Sequence, residues 1–285
     1  YTTMADMIQV KQVFGVEMEH VDSLRVYLDA EQLTPAEVAE CRREILKQFG
    51  HVGPDSRTID RSIRLYMALK RILVDRGYTM AAVKCMDEMT NSYCSFCLAN
   101  SLLNDDSFVV SCEGDIYAAL TMKILRELSG ETALFGDVNH VDHQDRMLRI
   151  VNCGSMPSSL AVDRKDVDLQ NQYDYLSEAG GAVTVFSVNS FLATGARLFR
   201  VRGAMGMVAF EGETVRRPKE EFAEAREYWP HAYMKLNCDT HALVQNLRSN
   251  HMHVCPSHCL GAIREFCHLA GVELTVPGEA RSVLA

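Results

Sequence analysis

The sequence predicts an α/β protein in two parts: a parallel-sheet α/β domain over residues 1–148, then a mainly antiparallel, barrel-like β domain with flanking helices over 149–285. Three observations lead there. Short apolar, strand-like runs alternate with helical periodicity between about 57 and 138, the pattern of βαβ units. Past residue 150 the pattern becomes β-prone runs separated by glycine-rich turns such as Ala179-Gly180-Gly181. The 285 residues, 47% hydrophobic and 24% charged, suffice for a large core and two domains.

In chain order, Thr34-Pro35-Ala36-Glu37 is a capping box with proline at the first helical position, which starts a helix expected to run to Gly50. A second helix is expected over 57–76, where Ile59, Ile63, Tyr66, Leu69 and Leu73 recur at helical spacing and Gly77 supplies the stop. Then come a strand-like run Ala81-Ala82-Val83-Lys84-Cys85, a helix near 93–103, the run Phe108-Val109-Val110-Ser111, a helix from 116 to Gly130 and a short strand near 132–138. In a parallel sheet, ligands bind beyond the carboxyl ends of the strands, where Asp87-Glu88 and Glu113-Gly114-Asp115 both stand. The second part holds β runs at 182–188, 197–202 and 205–211, a helix near 239–249, a histidine-rich turn at 251–258 and a final helix near 259–270.

The net charge of −9 and the absence of a basic run argue against nucleic-acid and anionic-membrane partners, which clustered Lys and Arg recognise. Charges interrupt every window near the ~20 residues that a membrane span requires. Ten cysteines, many inside apolar runs, read as reduced core thiols, so a cytoplasmic setting is expected. The chain opens at Tyr1 in what reads as the middle of a folded unit, so residues upstream are expected.

Glu113 and Asp115 flank a glycine at a strand-to-helix turn, where the helix dipole favours negative charge. Asp115 is placed to cap the helix from Ile116, but capping leaves Glu113 unexplained. Asp87 and Glu88 would reach the same rim, and four converging carboxylates repel one another unless a cation or raised pKa values relieve them. His251-Met252-His253 and His258 form the densest histidine grouping. One imidazole added to carboxylates gives a mixed oxygen and nitrogen site suited to manganese and similar ions; either of His251 and His253 is equally open to a structural role. Lys84 stands before the acidic pair, and Trp229-Pro230-His231 offers an aromatic face and a polar tip to a sugar ring. Asp137-Val138-Asn139-His140-Val141-Asp142-His143 follows a strand and is a further candidate for the rim.

The stretch Cys112-Glu113-Gly114-Asp115-Ile116-Tyr117-Ala118-Ala119-Leu120-Thr121-Met122, with Leu128-Ser129-Gly130 and Gly136-Asp137, resembles the core motif of the L-fucose isomerase family. Lys84-Cys85 leading to Glu88, Asn152-Cys153-Gly154, Trp229-Pro230-His231-Ala232 and Ser249-Asn250-His251-Met252-His253 follow in the family's order, and the resemblance spans about 60 to 275. It implies a metal-dependent ketol isomerase that interconverts an aldose and a ketose through an enediolate. The cation would be manganese, held by a glutamate, an aspartate and a histidine. These map onto Glu88, Asp115 and His251, with Asp87 the alternative to Glu88. Glu88 and Asp115 would double as base and acid, with Glu113 supporting them and Lys84, Trp229, His231, His253 and His258 nearby. The resemblance also implies a trimer or hexamer in which a neighbour completes the pocket. Cys255-Pro256-Ser257 stands where members usually carry an aromatic–glycine pair, which leaves the sugar open.

Two rival readings remain. One is a non-catalytic sugar-binding relative. The other is a zinc-stabilised interaction module on Cys94, Cys97, Cys255 and Cys259, although the long gap between the two pairs is unlike compact zinc sites.

Overall fold

The computed structural model describes residues 4–174, 176–222 and 229–279. Helices α1 (Met7–Phe14), α2 (Ser23–Gln32) and α3 (Pro35–Leu46) lead into β1 (His51–Val52) and the long α4 (Ser56–Arg76). Next come β2 (Met80–Ala82), α5 (Glu88–Ser92), α6 (Cys97–Asp105), β3 (Val109–Ser111), α7 (Ile116–Ser129), β4 (Leu134–Asp142), β5 (Met147–Val151), β6 (Asp168–Asn171) and β7 (Ala182–Val185). The chain continues through β8 (Leu192–Val201), β9 (Ala204–Thr214), β10 (His231–Leu236), α8 (Thr240–Asn246), β11 (His251–Cys255), α9 (Leu260–Ala270) and β12 (Glu273–Thr275).

The local signals act as their chemistry requires. Thr34 Oγ1 accepts from the Glu37 backbone N–H, and the Glu37 carboxylate accepts from the Thr34 N–H at 2.8 Å, closing the capping box at α3. Ile59, Ile63, Tyr66, Leu69 and Leu73 form the buried stripe of α4, and Gly77 ends it in the left-handed conformation (φ 66°). The helix expected to reach Gly50 stops at Leu46 instead. Gly50 serves a close approach: its N–H bonds Val167 O, and a Cβ there would lie 2.0 Å from the Lys165 carbonyl oxygen.

The parallel sheet is smaller than expected. Of the strands in the alternating stretch, β2 and β3 pair in parallel, in the register Met80↔Val109 to Ala82↔Ser111; elsewhere β1 pairs with β6 and β12 with β9 in parallel. The strand expected near 132–138 does not join them. It is β4, which is joined to β5 by four residues, too short a connection for a parallel crossover, so the two strands pair antiparallel. The main sheet runs β10-β5-β4-β11-β8-β9-β12, and β9 also pairs with β10 (Met234↔Thr214 to Leu236↔Gly212), so strands β10 to β9 return on themselves in a ring. The domain boundary expected at 148 falls inside β5, and the ring takes strands from both sides of it. A separate sheet joins β1, β6 and β7.

The histidine-rich segment expected as a turn is instead the fully buried strand β11, seated between β4 and β8. Imidazoles suggest exposure to a sequence reader, but here both are matched by buried charged groups. Helix α7 packs on β8 and β11, bringing its N-terminus against His251.

Candidate metal centre

Between β3 and α7 the backbone turns through two successive left-handed residues, Glu113 (φ 59°) and Gly114 (φ 64°). The conformation is uncommon for a glutamate and persists only where surroundings enforce it. Gly114 donates its N–H to Val83 O at 3.0 Å, and a Cβ at this position would meet Lys84 Cβ at 3.3 Å. The turn thereby points Glu113 toward β11 and leaves Asp115 as the α7 cap, its Oδ1 accepting from the Ala118 N–H at 2.8 Å.

Asp115 is fully buried, and its second oxygen is also taken. His251 Nδ1 donates to Oδ2 at 2.6 Å, and Arg197 Nη2 pairs with the same oxygen at 2.8 Å. Burial opposes the carboxylate, yet the His251 hydrogen bond and the Arg197 charge prevail and hold the Asp115 pKa at about 2. Arg197 Nη1 donates in turn to His253 Nε2 at 3.2 Å, so His253 is neutral packing beside Phe135, held well below the usual histidine range by burial and by Arg197.

With Nδ1 engaged, His251 turns Nε2 toward two carboxylates: Glu113 Oε2 at 3.3 Å and Asp137 Oδ1 at 3.7 Å. Asp137 lies directly opposite His251 in the β4–β11 register, and its Oδ1 accepts from Asn250 Nδ2 at 2.5 Å. Burial, and repulsion from Glu113, raise the Asp137 pKa despite the opposing His251 charge. Burial lowers His251, but its hydrogen bond to Asp115 and the nearby negative charges of Glu113 and Asp137 win, lifting it to about 9.

Ligand atoms of Glu113, Asp137 and His251 all lie within 4.8 Å of one another. His251 Nε2 is buried with no hydrogen-bond partner, while the opposite ring nitrogen donates to a carboxylate. Once Nε2 gives up its proton, this is the arrangement in which a histidine presents a lone pair to a metal. Two carboxylates and one imidazole form a mixed donor set that fits a divalent cation such as manganese.

The structure therefore gathers a different trio from the expected one. Glu88 stands in the first turn of α5, its side chain 60% exposed and paired with Lys84 at 2.7 Å, and Asp87 precedes it without joining the group. Asp115 backs Nδ1 of the histidine, and Glu113 faces its Nε2. Asp137, read only as a further candidate for the rim, completes the trio from within β4; the signal was Gly136-Asp137 in the motif that resembles the family.

A cleft opens beside Glu113 and Asp137. Lys84 and Trp229 line it, as do the thiols Cys85, Cys97, Cys112 and Cys153. His231 is buried on β10, where burial holds its pKa down to about 4. His258 donates Nε2–H to Gly212 O at 3.0 Å, outside the trio.

The four cysteines of the zinc reading do not gather. Cys94 contacts Ser62 Oγ at 3.3 Å and Cys97 accepts from Gln172, whereas Cys255 and Cys259, 3.9 Å apart, sit in another core cluster under α9.

Residues 150–276 match the family described as L-fucose isomerase, C-terminal domain. Among curated proteins, the chain is 27% identical over 155 residues to a sulfoquinovose isomerase of Clostridium sp. (strain MSTE9), covering 54% of this chain and 35% of the relative. It is 28% identical over 203 residues to the sulfoquinovose isomerase of Alkalicoccus urumqiensis (66% and 44%), and 25% over 213 residues to that of Priestia aryabhattai (71% and 47%). The chain thus spans between about a third and a half of the length of the curated relatives it matches. The resemblance to the L-fucose isomerase family accordingly holds, and residues 150–276, the part that contributes His251, match its C-terminal domain.

Proposed function

We propose that this chain is the cation-holding part of an aldose–ketose isomerase working through an enediolate, with Glu113, Asp137 and His251 as the ligands of a divalent cation. The observation that carries the reading is the buried, unpartnered Nε2 of His251 facing two carboxylates. The relatives' names point to a sugar acid such as sulfoquinovose as the aldose. The same reading carries manganese as the cation, a cytoplasmic setting, and a trimer or hexamer in which a neighbouring copy completes the cleft.

When bound, the cation would polarise adjacent sugar oxygens and so acidify the C2–H. The proton transfer falls to Glu113 and Asp137, which face the cleft from opposite elements. One accepts the C2 proton and the same group or its partner delivers a proton to C1, while the C2 hydroxyl proton passes to O1, so that no proton is gained or lost overall. Asp137, set on β4 opposite His251, is one of the two carboxylates placed for the proton-holding role. Asp115 is unsuited to it: both oxygens are engaged, and protonation would unpair the buried Arg197. It positions His251 instead. Trp229 offers an aromatic face to the sugar, and the apolar wall of Met86, Leu176 and the thiols limits water around the reacting carbons.

The test is calorimetric titration with Mn²⁺, followed by NMR of sulfoquinovose in D₂O to detect exchange at C2. Saturable binding and exchange, both lost in Glu113→Gln and Asp137→Asn, are expected. Binding without exchange would favour the non-catalytic sugar-binding alternative, and equal binding by both variants would remove the ligand assignment.

A further inference from the structure

A second cleft shares no lining residue with the first and is lined in part by Arg197, the partner of Asp115. In a chain of net charge −9 it is lined by Arg197, Arg200, Arg202 and Arg248, together with Tyr117 and Ser249. Some of this charge is already answered: Arg197 holds Asp115, and Arg200 pairs with Asp6 while donating to Gln9. Arg202 and Arg248 have no ion pair among the described residues, although Arg248 donates to the Gln245 carbonyl.

Two polar atoms sit at the inner end without partners. The Tyr117 hydroxyl and Arg197 Nε are both buried and make no hydrogen bond, in side chains of residues 4% and 3% exposed. Buried donors in folded proteins are ordinarily satisfied, so a pair of orphans facing a basic cleft signals an absent acceptor. The rim is also preset. Arg202 and Gly203 form the two-residue turn between β8 and β9, both left-handed (φ 52° and 84°), a hairpin geometry that fixes where Arg202 stands. Ser249 Oγ already accepts from the His251 N–H, leaving its own hydrogen to donate.

We propose that this cleft binds a doubly charged tetrahedral oxyanion, a phosphate or phosphate monoester, on Arg202 and Arg248 at the rim and on Tyr117 and Arg197 within. Two unpaired guanidinium groups match two negative charges, and the guanidinium fork matches the spacing of phosphate oxygens. The proposal does not depend on the cation cluster or on the isomerase reading.

Calorimetry and thermal melts of the metal-free chain with inorganic phosphate, with glycerol phosphate as monoester, and with sodium chloride at matched ionic strength would test it. Saturable binding and an upward melting shift beyond that of chloride are expected, with the tighter of the two probes identifying the source as free anion or ester. In the double variant Arg202→Gln/Arg248→Gln, altered only at exposed positions, affinity should fall at least about tenfold. Tyr117→Phe should weaken binding severalfold while leaving the unliganded melting temperature unchanged or higher, because a buried orphan is removed. No effect of either phosphate beyond chloride, or undiminished binding in the double variant, would overturn the proposal.

Discussion

Replacing Asp115 with asparagine removes one charge and one acceptor at the junction of α7, β8 and β11. The cap survives, since asparagine caps as well as aspartate through its remaining oxygen. That oxygen is then committed to the Ala118 N–H, and the new amide group presents hydrogens to Arg197 Nη2 and His251 Nδ1, which are themselves donors. Arg197, only 3% exposed, is left as a buried charge without a counter-charge. Breaking one side of a buried pair costs about 3–5 kcal/mol. Loss of the carboxylate behind a metal-binding histidine costs about 10–100-fold in metal affinity. Urea denaturation followed by the fluorescence of Trp229, the single tryptophan, and calorimetric Mn²⁺ titration measure both quantities. Adding Arg197→Met separates them: stability should recover substantially while metal affinity stays low, because the methionine removes the stranded charge but does not restore the acceptor for His251. A single variant within about 0.5 kcal/mol of wild type, well short of the cost of a broken buried pair, or one with unchanged metal affinity, would refute this reasoning.

Glu113→Gln and Asp137→Asn should each abolish measurable Mn²⁺ binding, yet the metal-free protein should melt no lower, since burial, and then repulsion between these carboxylates, already disfavour the ionised Asp137. Glu88→Gln should leave metal affinity unchanged, because Glu88 is an exposed partner of Lys84; a large loss on titration would return it to the site. Metal requires neutral Nε2, and in the metal-free protein His251 stays protonated below about 9, so apparent affinity should rise with pH across 6–8 and about one proton should be released per cation. Calorimetry in buffers of different ionisation enthalpy reads that proton. Gly136→Ala would place a Cβ 2.4 Å from Ile150 Cγ2 and 2.8 Å from Val151 O, and overpacking of this kind costs about 1–3 kcal/mol, measurable by denaturation.

Helices were legible where capping chemistry is local: Thr34 with Glu37, Asp115 at α7, and the glycines after α4 and α7. Strand partners were not, because pairing depends on chain reversals that periodicity does not encode; β4 reads alike whether it joins a parallel sheet or a ring. The site was half legible for the same reason. Glu113, Asp115 and His251 do come together in the structure, but which carboxylate meets Nδ1 and which lies near Nε2 depends on the left-handed Glu113-Gly114 turn. Asp137 depends on the His251↔Asp137 register, and Glu88 was favoured by proximity to a strand end that α5 carries away from the group.

The most direct measurement is a crystal structure of the chain with Mn²⁺, with anomalous data collected at the manganese edge. One strong peak coordinated by Glu113, Asp137 and His251 Nε2 is expected, with Asp115 still bonded to Nδ1. A peak on Glu88 or Asp115, on the cysteines, or absent from this cluster at saturating manganese would contradict this assignment.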